Sequence, residues 1–246
     1  MIFPANLLLL LSGNEENIMQ FPIEIIDNHV IVIDNEKKLL IDTGSPITIS
    51  HGDEIEIFNS KYPTNDKYHG ANIDALGNFV GCELDALIGN DILKNFPFTI
   101  DFENQLFLIW DALPIGSDFL EEYIQANFSG IPTINVEVNK VYQITSWLDT
   151  GAKISYIKKE YVQQLEVVKN KKDFFPGYGE FEVPIYKIMM TFCSKDIPFE
   201  FGVLPSELEK AMLTGDIKSI VGADIFKFFT LTFSHDKNKI YIKYLL

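Results

Sequence analysis

The tripeptide Asp-Thr-Gly occurs twice in this chain of 246 residues, at 42–44 and at 149–151, each time directly after a strand-like apolar run. Two carboxyl groups that lie side by side cannot easily both ionise, so one keeps its proton while the other acts as a base. Such a pair can deprotonate a water molecule and donate a proton to a carbonyl oxygen. Asp42 and Asp149 are therefore the candidate catalytic residues.

A second pair of segments shows that the whole chain repeats itself once. Residues 86–93 contain Leu-Ile-Gly and residues 219–226 contain Ile-Val-Gly, and each segment is followed by an aromatic, strand-like stretch. One Asp-Thr-Gly is expected by chance in roughly one chain of this length in twenty. Two copies in matching surroundings are far rarer, and the order of parts is the same in both halves.

These motifs resemble those of the aspartic peptidases, in both the pepsin-like and the retroviral-type families. The shared pattern is two apolar residues, Asp-Thr-Gly, a small residue, and a downstream apolar-apolar-Gly segment, and it covers nearly the whole chain. The resemblance implies an all-β fold of two pseudo-twofold-related acid-protease lobes with a central cleft. It places the lobes at 1–112 and 131–246, and an interlobe linker at 113–130.

The resemblance also assigns supporting roles around the two aspartates. The threonine hydroxyls are expected to hydrogen-bond across to the opposite loop, and glycine allows two backbones to approach closely because it has no Cβ. A hydroxyl after the first glycine is expected to stabilise the adjacent carboxylate. Its absence in the second copy is expected to leave the second carboxylate slightly more basic, which predicts a mildly acidic pH optimum. The supporting residues are Thr43, Gly44, Ser45, Thr150, Gly151 and Ala152.

Short apolar runs separated by turn residues predict a β-meander that ends at each aspartate. The predicted strands are 21–26, 29–33 and 38–41 in the first half, and 133–138 and 141–148 in the second. Apolar strands near 7–11 and 240–246 are expected to pair in a sheet beneath the cleft. Helical spacing predicts a helix at 158–168, and another is expected at 118–125. Capping by Asn90 or Asp91, by Ser206 and by Asp224 predicts short helices at 91–96, 206–213 and 224–229.

The halves differ in length between their matched motifs, which predicts a substrate-covering hairpin in the second half. The distance from Asp42 to Gly89 is 47 residues, whereas that from Asp149 to Gly222 is 73. Residues 174–181 followed by a returning strand at 183–190 supply the candidate hairpin, and residues 68–70 are the first-half counterpart. The predicted mobile tip is Gly177, Tyr178 and Gly179, with the tyrosine closing over substrate; the alternative is an ordinary surface hairpin.

Composition limits the classes of partner. The net charge is −15 and the chain has no arginine, so neither nucleic acid nor an anionic membrane surface is an expected partner. Cys82 and Cys193 form no disulfide framework or zinc-ligand pattern, and we expect no metal and no cofactor. The expected partner is a polypeptide substrate bound by a monomer. No leader was recognised, which favours the cytoplasm; a non-catalytic peptide-binding module is the alternative function.

Overall fold

The computed structural model describes residues 18–111, 113, 122–125 and 130–245, with the backbone alone for residues 122–125. Within these residues, strands dominate and helices are short. The strands of the first half are β1 (Ile18–Ile26), β2 (His29–Asp34), β3 (Lys37–Ile41), β4 (Ile49–Ser50), β5 (Glu54–Ile57), β6 (Ser60–Pro63), β7 (Ala86–Ile88), β8 (Phe98–Asp101) and β9 (Leu106–Trp110). The later strands are β10 (Glu122–Gln125), β11 (Thr133–Val138), β12 (Tyr142–Leu148), β13 (Tyr156–Ile157), β14 (Lys169–Phe175), β15 (Gly179–Phe192), β16 (Lys195–Gly202), β17 (Ile217–Val221), β18 (Phe229–Ser234) and β19 (Lys239–Tyr244).

Two large sheets carry the two lobes. The first has the order β10-β19-β18-β8-β9-β1-β2-β3-β7-β4, so strands from the end of the chain extend the sheet of the first half through the β18–β8 pairing. The second has the order β11-β12-β17-β13-β16-β15-β14, and β15 also pairs with β11. The core shared by both halves contains fully buried aromatic side chains such as Phe98, Phe107, Phe226 and Phe233. Burying side chains of this size is the main source of stability in a β-rich fold.

In each lobe the strand that leads into the Asp-Thr-Gly motif is paired in parallel with the strand that leads into the second motif. Strand β3 pairs with β7, and β12 pairs with β17. Both β3 and β7 are buried towards their ends, as expected for strands covered on both faces. This arrangement brings each Asp-Thr-Gly loop beside the apolar-apolar-Gly segment of its own lobe.

The predicted meanders are confirmed, with strand bounds within a few residues of those expected. The helix predictions are confirmed only in part. Three occur in the described residues: α1 (Ile73–Val80), α2 (Asn90–Leu93) and α3 (Ser206–Met212), with single 3-10 turns at Lys159–Tyr161 and Ala223–Lys227. Helix α1, capped by Asn72, was not predicted. The expected capping by Asn90, Asp91, Asp224 and Ser206 is wrong, because α2, α3 and the 3-10 turn at 223–227 follow Gly89, Pro205 and Gly222 without a side-chain cap.

The helix predicted at 158–168 is wrong, because its apolar residues do not share a buried face. Leu165 is 37% exposed and Val168 is 56% exposed, and only the 3-10 turn forms before β14 begins. Residues 122–125 of the helix predicted at 118–125 form strand β10 instead. Strand β19 pairs with β18 and β10, while its expected partner at 7–11 lies outside the described residues. No helix within the described residues is long and apolar enough to cross a membrane.

Candidate active site

Each aspartate lies just beyond the end of a buried strand and is fixed by the neighbouring strand of its own lobe. The backbone N–H of Asp42 donates to Ile88 O at 3.0 Å, and that of Asp149 donates to Val221 O at 2.9 Å. Both aspartates therefore continue the parallel pairing of the strands that precede them. These hydrogen bonds fix the backbone of each aspartate to its own lobe.

The two loops are locked together by a reciprocal set of threonine hydrogen bonds. Thr43 Oγ1 accepts from Thr150 N at 3.0 Å and donates to Leu148 O at 2.7 Å. Thr150 Oγ1 accepts from Thr43 N at 2.9 Å and donates to Ile41 O at 2.7 Å. Both threonines are fully buried, and each such bond contributes about 1 kcal/mol. The lock holds the two lobes in register at the point where the carboxyl groups meet.

Glycine is required beside each aspartate because the opposite carboxyl group occupies the space of a side chain. A Cβ on Gly44 would lie 2.3 Å from the carboxyl carbon of Asp149. A Cβ on Gly151 would lie 2.4 Å from that of Asp42. Each glycine therefore packs against the aspartate of the other lobe, so the two loops approach as closely as backbone allows.

The two carboxyl groups are half-buried beside the cavity and lie within hydrogen-bonding reach of each other. Burial, followed by the charge of Asp149, raises the pKa of Asp42 well above its usual range. Burial also raises the pKa of Asp149. Backbone N–H groups oppose the increase: Gly44 and Ser45 donate to Asp42 Oδ1, and Gly151 donates to Asp149 Oδ1, at 2.8 to 3.0 Å. The pair can hold one shared proton and one negative charge.

The hydroxyl of Ser45 does not bind a catalytic carboxylate. It donates to Ile47 O at 2.7 Å, and only the backbone N–H of Ser45 reaches Asp42. Ala152, at the matching position, donates its backbone N–H to Asp149. The expected difference in basicity between the two aspartates therefore has no basis in this hydroxyl, because both carboxyl groups receive only backbone donors from these loops.

A hydroxyl six residues after each aspartate fastens the second motif, and sequence reasoning missed it. Thr48 Oγ1 accepts from Gly89 N at 3.0 Å, and Ser155 Oγ accepts from Gly222 N at 2.9 Å. A Cβ on either glycine would overlap a backbone carbonyl, at 2.4 Å from Ile47 O for the first. The equal spacing of the two hydroxyls in the repeat was the signal available in the sequence.

The residues after these glycines differ between the lobes. Asp91 accepts from Thr48 N at 3.0 Å and from Thr48 Oγ1 at 2.7 Å, and Asn90 Nδ2 donates to Thr43 O at 2.5 Å. In the second lobe Asp224 instead forms an ion pair with Lys227. The first catalytic loop is therefore braced by two side chains whose contacts are not repeated in the described part of the second lobe.

A cavity of about 370 Å³ contains both aspartates and has two apolar walls related by the repeat. Leu40 and Trp147 each precede their aspartate by two residues, and both line the cavity. Leu87 and Ile220 each precede the second-motif glycine by two residues, and both also line it. Helix α1 adds to the first wall and helix α3 to the second, so large apolar surfaces flank the carboxyl pair on both sides.

Both lobes contribute to the cover of this cavity. Tyr68 and Ala71 exchange backbone hydrogen bonds around a tight turn, and burial, then the charges of the two aspartates, raise the pKa of Tyr68 to about 12. Strands β14 and β15 form the predicted hairpin, and Phe174 and Phe175 line the cavity. The ring of Phe175 lies 5.8 Å from that of His69, so the two covers touch.

The three tip residues predicted from sequence lie at the turn of this hairpin. A Cβ on Gly177 would lie 3.1 Å from His69 O, which places this residue at the contact between the covers. Tyr178 is 45% exposed, packs edge-to-face on Phe181 and does not line the cavity. Gly179 begins β15 with open space beside it. The aromatic side chains of the hairpin that line the cavity are Phe174 and Phe175 before the tip and Phe181 after it.

Metal-binding chemistry is not grouped in the described part of the chain. No three His, Cys, Asp or Glu side chains among these residues lie close enough together to hold a metal ion. Cys82 and Cys193 are half-buried and are not joined to each other.

No family model and no curated protein sequence matches the chain. Its structure does resemble solved proteins. The crystal structure of the aspartic proteinase from Irpex lacteus matches with a TM-score of 0.50 and 9% identity, over 92% of this chain and 97% of that chain. The solution structure of Simian Foamy Virus (mac) protease matches with a TM-score of 0.29 and 11% identity, over 37% of this chain and 88% of that chain. The first match shows that the chain has the all-β, two-lobed aspartic proteinase fold, which confirms the predicted fold class; the second is too distant to support an argument.

Proposed function

We propose that the protein is an aspartic endopeptidase in which Asp42 and Asp149 activate a water molecule. The observation that supports this most directly is a pair of half-buried carboxyl groups within hydrogen-bonding reach of each other, one from each lobe, in a cavity that both lobes cover. Burying two carboxyl groups against each other costs stability, since like charges and desolvation both oppose ionisation. Paired carboxyl groups that lower the stability of the fold in this way are typical of a catalytic site.

The proposed reaction uses the shared proton. The ionised carboxylate takes a proton from water, and the resulting hydroxide attacks the scissile carbonyl carbon while the protonated carboxyl donates to the carbonyl oxygen. A neutral tetrahedral diol forms without a covalent intermediate. The protonated carboxyl then donates to the amide nitrogen while the other carboxylate takes a proton from a diol hydroxyl. The C–N bond breaks to give an acid and an amine, and the pair again holds one shared proton. Asp42 and Asp149 exchange roles during the cycle, so neither is fixed as the acid.

The cavity walls indicate the substrate. Two apolar surfaces on opposite sides of the carboxyl pair fit an extended polypeptide with a large apolar side chain on each side of the scissile bond. The cover strands offer backbone hydrogen bonds to such a strand-like substrate. Both carboxyl groups come from one chain, so we propose that a monomer suffices, with lobes at 1–112 and 131–246 joined by a linker at 113–130.

The test is cleavage of a mixed library of apolar-rich peptides across acidic to neutral pH. Wild type is expected to cleave, and Asp42→Asn and Asp149→Asn are each expected to lose activity by a factor on the order of 10³ to 10⁴, as for the loss of a general acid–base pair. Asn preserves the shape and an acceptor oxygen for the backbone donors, so a folded inactive variant isolates the chemistry. Asp216→Asn, at an exposed position in the second lobe, is the matched control and should keep full activity.

Two results would contradict the proposal. Folded wild type that binds the peptides but cleaves none at any pH would instead be a peptide-binding module on the same fold. Cleavage that survives in either aspartate variant would show that the hydrolytic group lies elsewhere. Circular dichroism and thermal unfolding of each variant establish that lost activity is not lost structure.

A further inference from the structure

A polar cluster lies in one wall of the cavity, close to the carboxyl pair but with no part in the proposed reaction. It consists of Asp173 on β14, Tyr156 on β13 and Lys153 in the loop after Asp149, and all three line the cavity. The positions that match Lys153 and Tyr156 in the first-lobe repeat are Pro46 and Ile49. The cluster is therefore specific to the second lobe, and the repeat by itself does not explain it.

The carboxylate of Asp173 is held in place but is not saturated with donors. The hydroxyl of Tyr156 donates to Oδ2, and the backbone N–H of Phe174 donates to Oδ1 at 2.8 Å. A carboxylate can accept about four hydrogen bonds, so each oxygen keeps a lone pair. The side chain is 12% exposed, and the exposed part belongs to the cavity lining.

Lys153, the cation paired with Asp173 among the described residues, does not occupy the remaining hydrogen-bonding positions of the Asp173 carboxylate. Lys153 Nζ lies 3.8 Å from Asp173 Oδ1, outside hydrogen-bonding distance, while it donates to Asp27 Oδ2 of the first lobe at 2.8 Å. The backbone carbonyl of Lys153 is held as well, by Asn28 Nδ2 at 2.8 Å. These bonds anchor the lysine to the β1–β2 turn, so its ammonium group does not donate to Asp173.

The surroundings of Asp173 suit a long cationic side chain. Tyr156, Phe174 and Phe175 provide apolar and aromatic surface beside the carboxylate, along which a methylene stem can pack. Aromatic faces also attract an ammonium group. Lys153 is the only Lys among the described residues that line the cavity, whereas Asp173 and the catalytic pair are the acids there. Burial lowers the pKa of His29, the buried histidine of the lining, which therefore adds no charge near neutral pH.

We propose that Asp173 is a specificity-determining residue that accepts the ammonium group of a lysine side chain in the bound polypeptide. The substrate then combines large apolar side chains next to the scissile bond with a lysine on the side of the β14–β15 hairpin. The inference rests on the proposed function only in requiring that a polypeptide occupies the cavity. It does not require turnover.

The test measures binding with peptides that cannot be cleaved. Each apolar peptide has a reduced bond at its centre and carries either lysine or norleucine at one of the three positions on either side. Norleucine keeps the stem and removes only the charge. At one position lysine is expected to bind wild type about tenfold more tightly than norleucine, a modest gain for a charged hydrogen bond because Lys153 lies nearby.

Two variants with opposite expected effects examine the role of the carboxylate. In Asp173→Asn the preference for lysine should vanish, while the affinity for the norleucine peptide stays within about twofold because the acceptor for Tyr156 remains. In Lys153→Met the competing cation is gone, so the preference for lysine should grow by a few-fold. Asp216→Asn changes the net charge by the same amount as Asp173→Asn but lies outside the cavity, and should behave as wild type.

Equal affinity for lysine and norleucine at every position in wild type would overturn the proposal, as would a preference that survives Asp173→Asn. A failure of Asp173→Asn to fold leaves the Lys153→Met arm, in which an unchanged or smaller preference also overturns it. Parallel assays with ordinary amide peptides separate the two proposals. Binding with a lysine preference but no cleavage would sustain the role of Asp173 while removing the peptidase assignment.

Discussion

The two Asp-Thr-Gly loops are nearly identical where they meet, whereas the lobes differ where they face the cavity. At the contact, Thr43 and Thr150 exchange the same hydrogen bonds, and Gly44 and Gly151 pack on opposite aspartates at almost the same distance. At the cavity, the first lobe supplies a four-residue turn at 68–71, whereas the second supplies the long β14–β15 hairpin.

The difference fits what the proposed function requires of each region. Carboxyl groups that share a proton need matched surroundings, so each lobe has to present the same loop to the other. A polypeptide is directional, and its two ends gain nothing from identical walls. The asymmetric features (the hairpin, the Asp173 cluster and the bracing of the first loop by Asp91) all lie away from the contact between the catalytic loops.

The strongest test of the symmetric part is to add one methyl group to either glycine beside the aspartates. Gly44→Ala and Gly151→Ala each place a Cβ within about 2.5 Å of the opposite carboxyl group, where real contacts do not occur. The carboxyl groups must move apart by about 1 Å, and we expect peptide cleavage to fall by about a hundredfold or more in both variants. Measurement of kcat/KM on one peptide compares the two directly.

The matched control is Gly52→Ala, where a Cβ would lie 3.6 Å from Glu54 O in ordinary contact. That variant should cleave as wild type does. A large loss in only one of the two catalytic-loop variants would show that the lobes do not approach each other symmetrically. Near-normal activity in both would mean that the carboxyl groups are farther apart in solution.

Asp91 and Asp224 occupy matching positions in the repeat, but in the described part of the chain only Asp91 braces its Asp-Thr-Gly loop. We therefore expect the two aspartates to contribute differently to the free energy of unfolding. Asp91→Ala removes the acceptor of both the N–H and the hydroxyl of Thr48, and should lower the free energy of unfolding by about 2 kcal/mol. Asp224→Ala removes an ion pair with Lys227, whose side chain is 55% exposed, and should cost about 0.5 kcal/mol or less. Urea unfolding at neutral pH measures both.

Asp91→Asn refines the comparison, because Asn keeps one acceptor oxygen for Thr48 and should recover part of the lost stability. Equal costs for the two alanine variants would mean that the bracing seen in the first lobe contributes nothing. A larger cost for Asp224→Ala would reverse the assignment and place the more important brace in the second lobe.

Local pattern and the repeat were enough to predict the meanders and the paired Asp-Thr-Gly loops, and the resemblance of these motifs to those of the aspartic peptidases supplied the fold class. They predicted these because alternation and turn residues act over short distances, and because duplication exposed the paired motifs. The same local pattern also produced the wrong prediction of a helix at 158–168. Leu165 and Val168 have helical spacing, but the tertiary fold leaves both side chains exposed. Helix α1 could have been predicted from the capping residue Asn72 and from the helical spacing of the buried residues Ile73 and Leu76.

Side-chain contacts that depend on the folded path of the chain could not be predicted from the sequence. Asp173 lies 24 residues after Asp149, and only the folding of β14 in the same sheet as β13 brings it to Tyr156 and into the cavity. The donation by Ser45 to Ile47 O, rather than to the carboxylate of Asp42, likewise depends on the local loop path. Such contacts depend on three-dimensional geometry that spacing does not encode.

The smallest expected effect concerns the pH dependence of stability, and it asks whether the two aspartates behave as one unit. Burial raises the folded-state pKa of both carboxyl groups above the unfolded value of about 4. Between the unfolded-state and folded-state pKa values the folded protein binds more protons than the unfolded chain, so stability falls as pH rises. The stabilising contribution is complete below about pH 4 and is lost as pH rises through the folded-state pKa. Each tenfold difference in proton affinity between the folded and unfolded states corresponds to about 1.4 kcal/mol of stability.

Urea unfolding from about pH 4 to about pH 7 compares wild type with Asp42→Asn and Asp149→Asn. Either substitution removes the like charge that opposes ionisation of its neighbour, so each variant should lose part of the decline and be more stable than wild type at neutral pH by about 1 kcal/mol. Equal changes in the two variants indicate a coupled pair in a symmetric contact. If only Asp42→Asn changed the dependence of the unfolding free energy on pH, the two carboxyl groups would titrate independently. The symmetric loops would then hold two carboxyl groups with unlike proton affinities.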